Sequence, residues 1–198
     1  MSSATERIAK AFENLRFREK TDGRPTIFVC GSWQPEKAIG ICTESRKLGQ
    51  LLAEAGFDLT IGPGTGVARF VIDGYRSVEK RGKIIFYLPK ESEMERVGEL
   101  MEEGADEVIK TELDYPLRNI VQVKESQAVV AIGGGAGTVT EVVTSALDYN
   151  KPTVILEGGE AYKAVSNLTE LKKNINFVSS VEDAVRILEE KLSRPHKF

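Results

Sequence analysis

Short apolar runs rich in β-branched residues recur along this chain, and segments with helical periodicity separate them. Residues 26–30 (TIFVC), 57–61 (FDLTI), 83–88 (KIIFYL), Ala128–Ile132 (AVVAI) and Thr153–Leu156 (TVIL) have the length and composition of strands. Residues 107–111 predict a further short one. Helical patterning over 36–56, 67–80, 92–103, Tyr115–Glu125, 138–149 and 180–191 fills the intervals, with Ser180 and Asp183 placed as N-cap and first-turn acid. Apolar strands alternating with helices are the mark of parallel βαβ units, whose strands are covered on both faces. The predicted fold class is α/β: a single doubly wound, Rossmann-like domain with a mostly parallel sheet of about six or seven strands.

A chain of 198 residues with 41% hydrophobic content can bury the core of one such domain. Residues 1–24 stand apart. They are polar, with Ile8, Ala11, Phe12 and Leu15 at helical spacing, and the turn chemistry of Thr21-Asp22-Gly23-Arg24-Pro25 follows. This predicts an N-terminal helical extension over 1–24 and the α/β domain over 25–198. Lys and Arg number 27 against 30 Asp and Glu, so there is no basic excess to mark a nucleic-acid polymer as partner. No apolar stretch approaches the roughly 20 residues of a spanning helix, which excludes a membrane partner on this reading. The two cysteines, Cys30 and Cys42, have no metal-site spacing and read as buried small hydrophobes in a reducing compartment. The expectation is a cytoplasmic protein with no metal and no resident cofactor.

In open α/β sheets ligands bind beyond the carboxyl ends of the strands, so the loops there carry the information. Three are rich in small residues. Gly31-Ser32 follows the first strand, Gly62-Pro63-Gly64-Thr65-Gly66 the second, and Gly133-Gly134-Gly135-Ala136-Gly137-Thr138 follows Ala128–Ile132. Glycine lets backbone amides approach a ligand closely, and a helix start adds unpaired N–H groups and a favourable dipole for phosphate. None of the loops has the glycine spacing of a dinucleotide fingerprint, and none ends in the Gly-Lys-Ser/Thr of a P-loop. A nicotinamide dehydrogenase and a P-loop NTPase therefore both drop in the ranking.

The segment Gly133-Gly134-Gly135-Ala136-Gly137-Thr138-Val139-Thr140-Glu141 resembles the Pro-Gly-Gly-x-Gly-Thr-x-x-Glu signature of the LOG family, the "lysine decarboxylase-like" proteins. Tyr115-Pro116-Leu117-Arg118-Asn119 matches the family's arginine helix, with Arg118 at the family's spacing from Glu141. Cys30-Gly31-Ser32, the 62–66 loop and Lys151-Pro152 are also similar. Gly133 stands where the signature has proline, and Asn119 where it has lysine. In these two positions the chain resembles a sister branch that includes the molybdenum-cofactor carrier proteins.

The resemblance implies a nucleoside 5′-monophosphate phosphoribohydrolase that releases free base and ribose 5-phosphate, with Glu141 and Arg118 catalytic. The phosphate or nucleotide would be held by Gly133, Gly134, Gly135, Gly137, Thr138, Gly31, Ser32, Gly62, Gly64, Thr65, Gly66 and Asn119. The alternative is a carrier or sensor that binds a phosphorylated ligand, molybdenum cofactor or nucleotide, without turnover; a weaker one is a structural homo-oligomer without a ligand. The family also implies a homodimer or higher homo-oligomer. Each site residue has a plainer reading beside this one. Thr138-x-x-Glu141 has the spacing of a capping box, in which the glutamate bonds back to its own helix start. Arg118 could be a solvated helix charge, the 62–66 loop a tight turn, and the single tryptophan, Trp33, a cover for the sheet edge.

Overall fold

The computed structural model describes residues 23–98, 103–168 and 173–192. Residues 1–22 of the expected N-terminal helical extension fall outside the described residues. Seven parallel strands form one sheet in the order β4-β3-β2-β1-β5-β6-β7. They are β1 (Thr26–Gly31), β2 (Asp58–Ile61), β3 (Ile84–Leu88), β4 (Glu107–Lys110), β5 (Ala128–Ile132), β6 (Thr153–Leu156) and β7 (Ile175–Val178). Among the described residues the helices are α1 (Pro35–Ala38), α2 (Cys42–Glu54), α3 (Val67–Arg76), α4 (Glu91–Val97), α5 (Tyr115–Glu125), α6 (Ala136–Val143), α7 (Glu160–Ser166) and α8 (Val181–Leu192). The α/β doubly wound expectation holds.

Both faces of the sheet are covered, as the near-continuous apolar strands require. On one face Ile27, Val29, Leu59, Ile61 and Phe86 pack with Leu48, Leu52, Val71, Ile72 and Leu188 from the helices. On the other, Phe28, Cys30, Val129 and Ala131 pack with Val142, Ala146 and Val165. The strand order reverses between β1 and β5, where Cys30 lies opposite Ala131 and Gly31 opposite Ile132. The loops after these two strands therefore begin level with each other, side by side. That is the crevice in which doubly wound sheets bind ligands.

Several local expectations are corrected. The helix expected over 36–56 is broken: α1 passes through a 3-10 turn, Ile39–Ile41, before α2 begins. The helix expected over 67–80 ends at Arg76, and that over 92–103 gives way at Gly98, which takes a left-handed φ of 66°. The one expected over 138–149 starts at Ala136 and widens into a π-helical turn, Thr144–Asp148. β7 and α7 have no counterpart in the sequence reading; β7 buries only its two ends, Ile175 and Val178, and leaves Asn176 and Phe177 half-buried rather than forming an apolar run. At the start of α8 the expected cap is present, with the Asp183 amide donating to Ser180 Oγ at 3.1 Å.

Candidate functional site

Glycines shape the turn that leads from β5 into α6. Gly133 and Gly134 both have positive φ, 67° and 81°, and a Cβ on Gly134 would lie 2.1 Å from Thr138 Oγ1. The chain thus doubles back and enters the helix earlier than the sequence suggested, with Gly135 as N-cap and no side-chain cap. Thr138 is the third residue of α6, so the Thr138–Glu141 capping box does not form. Amides in the first turn of α6 have no side-chain cap, and Glu141 is released from the helix start to point into the protein, where it is buried.

The other two loops are tied to each other. The Val67 amide donates to the Ser32 carbonyl at 2.9 Å, and Thr65 Oγ1 donates to the Trp33 carbonyl at 2.8 Å. Gly66, at φ 71°, leaves no room for a side chain, because a Cβ there would sit 2.3 Å from the Ser32 carbonyl oxygen.

A cavity of about 480 Å3 opens between these loops. Of the residues expected from sequence, Gly31, Ser32, Gly62, Gly64, Thr65, Arg118, Asn119, Gly135, Gly137, Thr138 and Glu141 line it. Gly133, Gly134 and Gly66 do not. They shape the turns, and the Gly134 carbonyl accepts from the Ala161 amide at 3.1 Å. Ala136 takes a place on the lining that was assigned to Gly134. Trp33 is 48% exposed and lines the cavity.

The charged centre of the cavity is compact. Burial pushes the Glu141 carboxyl up to about 7, against the opposing pull of Arg118 and of the Cys30 thiol, which faces it as a hydrogen-bond donor. Burial and the adjacent carboxyl in turn raise the Cys30 thiol well above its ordinary range. Arg118 is buried on α5, where the Asp114 side chain caps the helix by accepting from the Leu117 amide at 3.1 Å. Its guanidinium lies 5.2 Å from the Tyr115 ring centroid and donates to Gln122 Oε1 at 2.9 Å. Asn119 Oδ1 is buried without a hydrogen-bond partner among the described residues, and Asn119 lines the cavity. At the rim Lys37 and Glu160 form an ion pair at 3.9 Å.

Sequence reasoning did not assign Cys30, Lys37, Gln122 or Glu160 to the site. Cys30 was read as packing, although it directly precedes the Gly31-Ser32 turn. Gln122 stands one helical turn after Arg118, a spacing that places both on one face. Glu160 follows Gly158-Gly159, a further glycine loop at the same sheet edge. Cys42, read as buried, is half-buried. Among the described residues, no group of three or more His, Cys, Asp or Glu side chains is placed to hold a metal ion, and no helix is long and apolar enough to cross a membrane.

Comparison with known proteins bears on the fold and the family. A protein from Archaeoglobus fulgidus of uncharacterized function is 30% identical over 122 residues, covering 59% of this chain and 75% of that one. The molybdenum cofactor carrier protein of Chlamydomonas reinhardtii superposes with a TM-score of 0.71 at 25% identity, over 86% of this chain and 99% of that one. The molybdenum cofactor binding protein of Rippkaea orientalis gives 0.70 at 25% identity, over 87% and 99%. The model of the SLOG cluster4 family matches residues 24–185, and the chain belongs to that LOG-like family.

Proposed function

We propose that this chain binds a phosphorylated small molecule, with its phosphate on the 135–138 turn and its sugar or ring system over Glu141 and Arg118. The observation that carries the reading is the meeting, in one cavity, of the uncapped start of α6 with a buried carboxyl that titrates near neutrality. Amides of Gly135, Ala136 and Gly137 and the Thr138 hydroxyl supply the phosphate donors.

For a nucleoside 5′-monophosphate this anchor fixes the ribose with C1′ near Glu141, which supplies the entropic part of catalysis. Water adds to C1′, the C1′–N bond breaks, and the base leaves with the bonding electrons and a proton. A carboxyl that titrates at about 7 is present in both forms at neutral pH. As carboxylate it takes the water's proton or stabilises the positive charge that builds on the sugar; as the acid it serves the departing base. Arg118 holds the substrate's polar groups. The test is incubation with AMP and a panel of other nucleoside monophosphates, assayed for free base and ribose 5-phosphate. Release that Glu141→Gln abolishes, with phosphate binding retained, supports hydrolysis; undiminished release refutes the role given to Glu141.

A second reading is a carrier or sensor that holds its ligand without cleaving it. The similarity to two molybdenum-cofactor-binding proteins favours it, as do Gly133 and Asn119 in place of the hydrolase signature's proline and lysine. Tight binding of a phosphorylated ligand with no release from any nucleotide would establish this reading over hydrolysis.

A further inference from the structure

The side chain that fixes Arg118 in the cavity is itself held from the neighbouring strand. Arg118 Nη1 donates to Gln122 Oε1 at 2.9 Å, and Gln122 Nε2 donates to Thr60 Oγ1 at 2.9 Å. Gln122 and Thr60 are fully buried, and Arg118 is 5% exposed. An amide side chain has one accepting and one donating end, and only the accepting end can hold a guanidinium. The guanidinium only donates and so selects Oε1, while the Thr60 hydroxyl on β2 accepts from Nε2 and anchors the other end of the amide. The backbone beneath is fixed as well: Ser126 Oγ donates to the Gln122 carbonyl at 2.7 Å, and Lys151 Nζ donates to the Val123 and Lys124 carbonyls at 2.6 Å each.

We propose that Gln122, anchored by Thr60, is the positioning residue of this site: it holds the Arg118 guanidinium toward Glu141 and the ligand. A buried arginine on a long side chain has several rotamers, and an aimed charge requires that one of them be enforced. Neither Gln122 nor Thr60 lines the cavity, so each acts through Arg118 rather than on the ligand. This inference rests on the phosphate-site reading only for its binding readout; its other readout is Glu141 itself, whose titration Arg118 lowers.

The test compares the full-length parent with Gln122→Met, Thr60→Val and Thr60→Ser. Methionine keeps the length of Gln122 without the acceptor, valine removes the Thr60 hydroxyl, and serine retains it. Two quantities are measured: the titration midpoint of the Glu141 carboxyl by carbon NMR, and the affinity for AMP and for inorganic phosphate by calorimetry. Gln122→Met is expected to raise the Glu141 midpoint above its parent value and to weaken AMP binding about ten-fold, the loss of one charge-assisted hydrogen bond, and Thr60→Val, which removes only the neutral anchor of Gln122, to move both in the same direction by less. Thr60→Ser is expected to leave both near the parent values, which loss of packing alone would not do. A folded Gln122→Met protein with an unchanged Glu141 midpoint overturns the proposal. If the parent binds neither AMP nor phosphate, the phosphate-site reading fails, and the Glu141 midpoint still decides the role of Gln122.

Discussion

The Cys30 thiol at the end of β1 faces the Glu141 carboxyl on α6, and both are buried where the strand order of the sheet reverses. Burial is the largest influence on the carboxyl and moves its titration from 4.5 to about 7. Between those two values the native state holds more protons than the unfolded chain, so stability falls as pH rises through that window and stays lower above it. Glu141→Gln removes this dependence. The variant is expected to match the parent at pH 4 and to exceed it at pH 8, by at most about 3 kcal/mol. Denaturant unfolding at the two pH values measures the difference; an equal effect at both would contradict the burial of an ionisable Glu141.

The same pair predicts unequal cysteines. A thiol held well above its ordinary range stays protonated at pH 8, and only the thiolate is a good nucleophile. In native protein a maleimide is expected to modify the half-buried Cys42 first, with Cys30 protected until unfolding. Mass mapping of the labelled peptides checks this, and rapid native labelling of Cys30 would refute it.

Two glycines four sequence positions or fewer from Glu141's helix start should behave in opposite ways. At Gly134, with φ 81°, an added Cβ would collide with Thr138, so Gly134→Ala is expected to cost more than about 1 kcal/mol. At Gly137 an added Cβ meets nothing within 4 Å, and alanine in a helix is worth up to about 1 kcal/mol over glycine. Gly137→Ala should therefore fold at least as well as the parent while its methyl group crowds the cavity and weakens phosphate binding. Thermal melts paired with phosphate titrations separate the two roles.

Lys151 closes the helix that carries Arg118. Its Nζ donates to the carbonyls of Val123, Lys124 and Ser126 at the end of α5. Lys151→Met keeps most of the volume and removes these bonds, and a loss of about 2 kcal/mol is expected in chemical denaturation. A variant as stable as the parent would show that the lysine does not cap the helix.

The sheet was legible because its inner strands are apolar on both faces, and the three glycine loops announced which edge carries the cavity. β7 was not, because Asn176 and Phe177 are only half-buried there and the segment lacks a continuous apolar run. The helix start after β5 was misplaced for a related reason. Thr138-x-x-Glu141 has capping-box spacing, and only the left-handed turn at Gly133 and Gly134 moves the N-cap to Gly135 and frees Glu141 to face inward. Gln122 escaped notice because an i, i+4 pair on a helix is common, and its anchor, Thr60, lies 62 residues away in sequence, which no local pattern encodes.

The central claim is that the first turn of α6 is a phosphate seat in a cavity floored by Glu141. Amide NMR spectra recorded during titration with AMP, adenosine and inorganic phosphate test it directly. AMP and phosphate are expected to shift the amides of Gly135, Ala136, Gly137 and Thr138, and adenosine to leave them in place. Saturating AMP and phosphate with no shift at any of the four would contradict it.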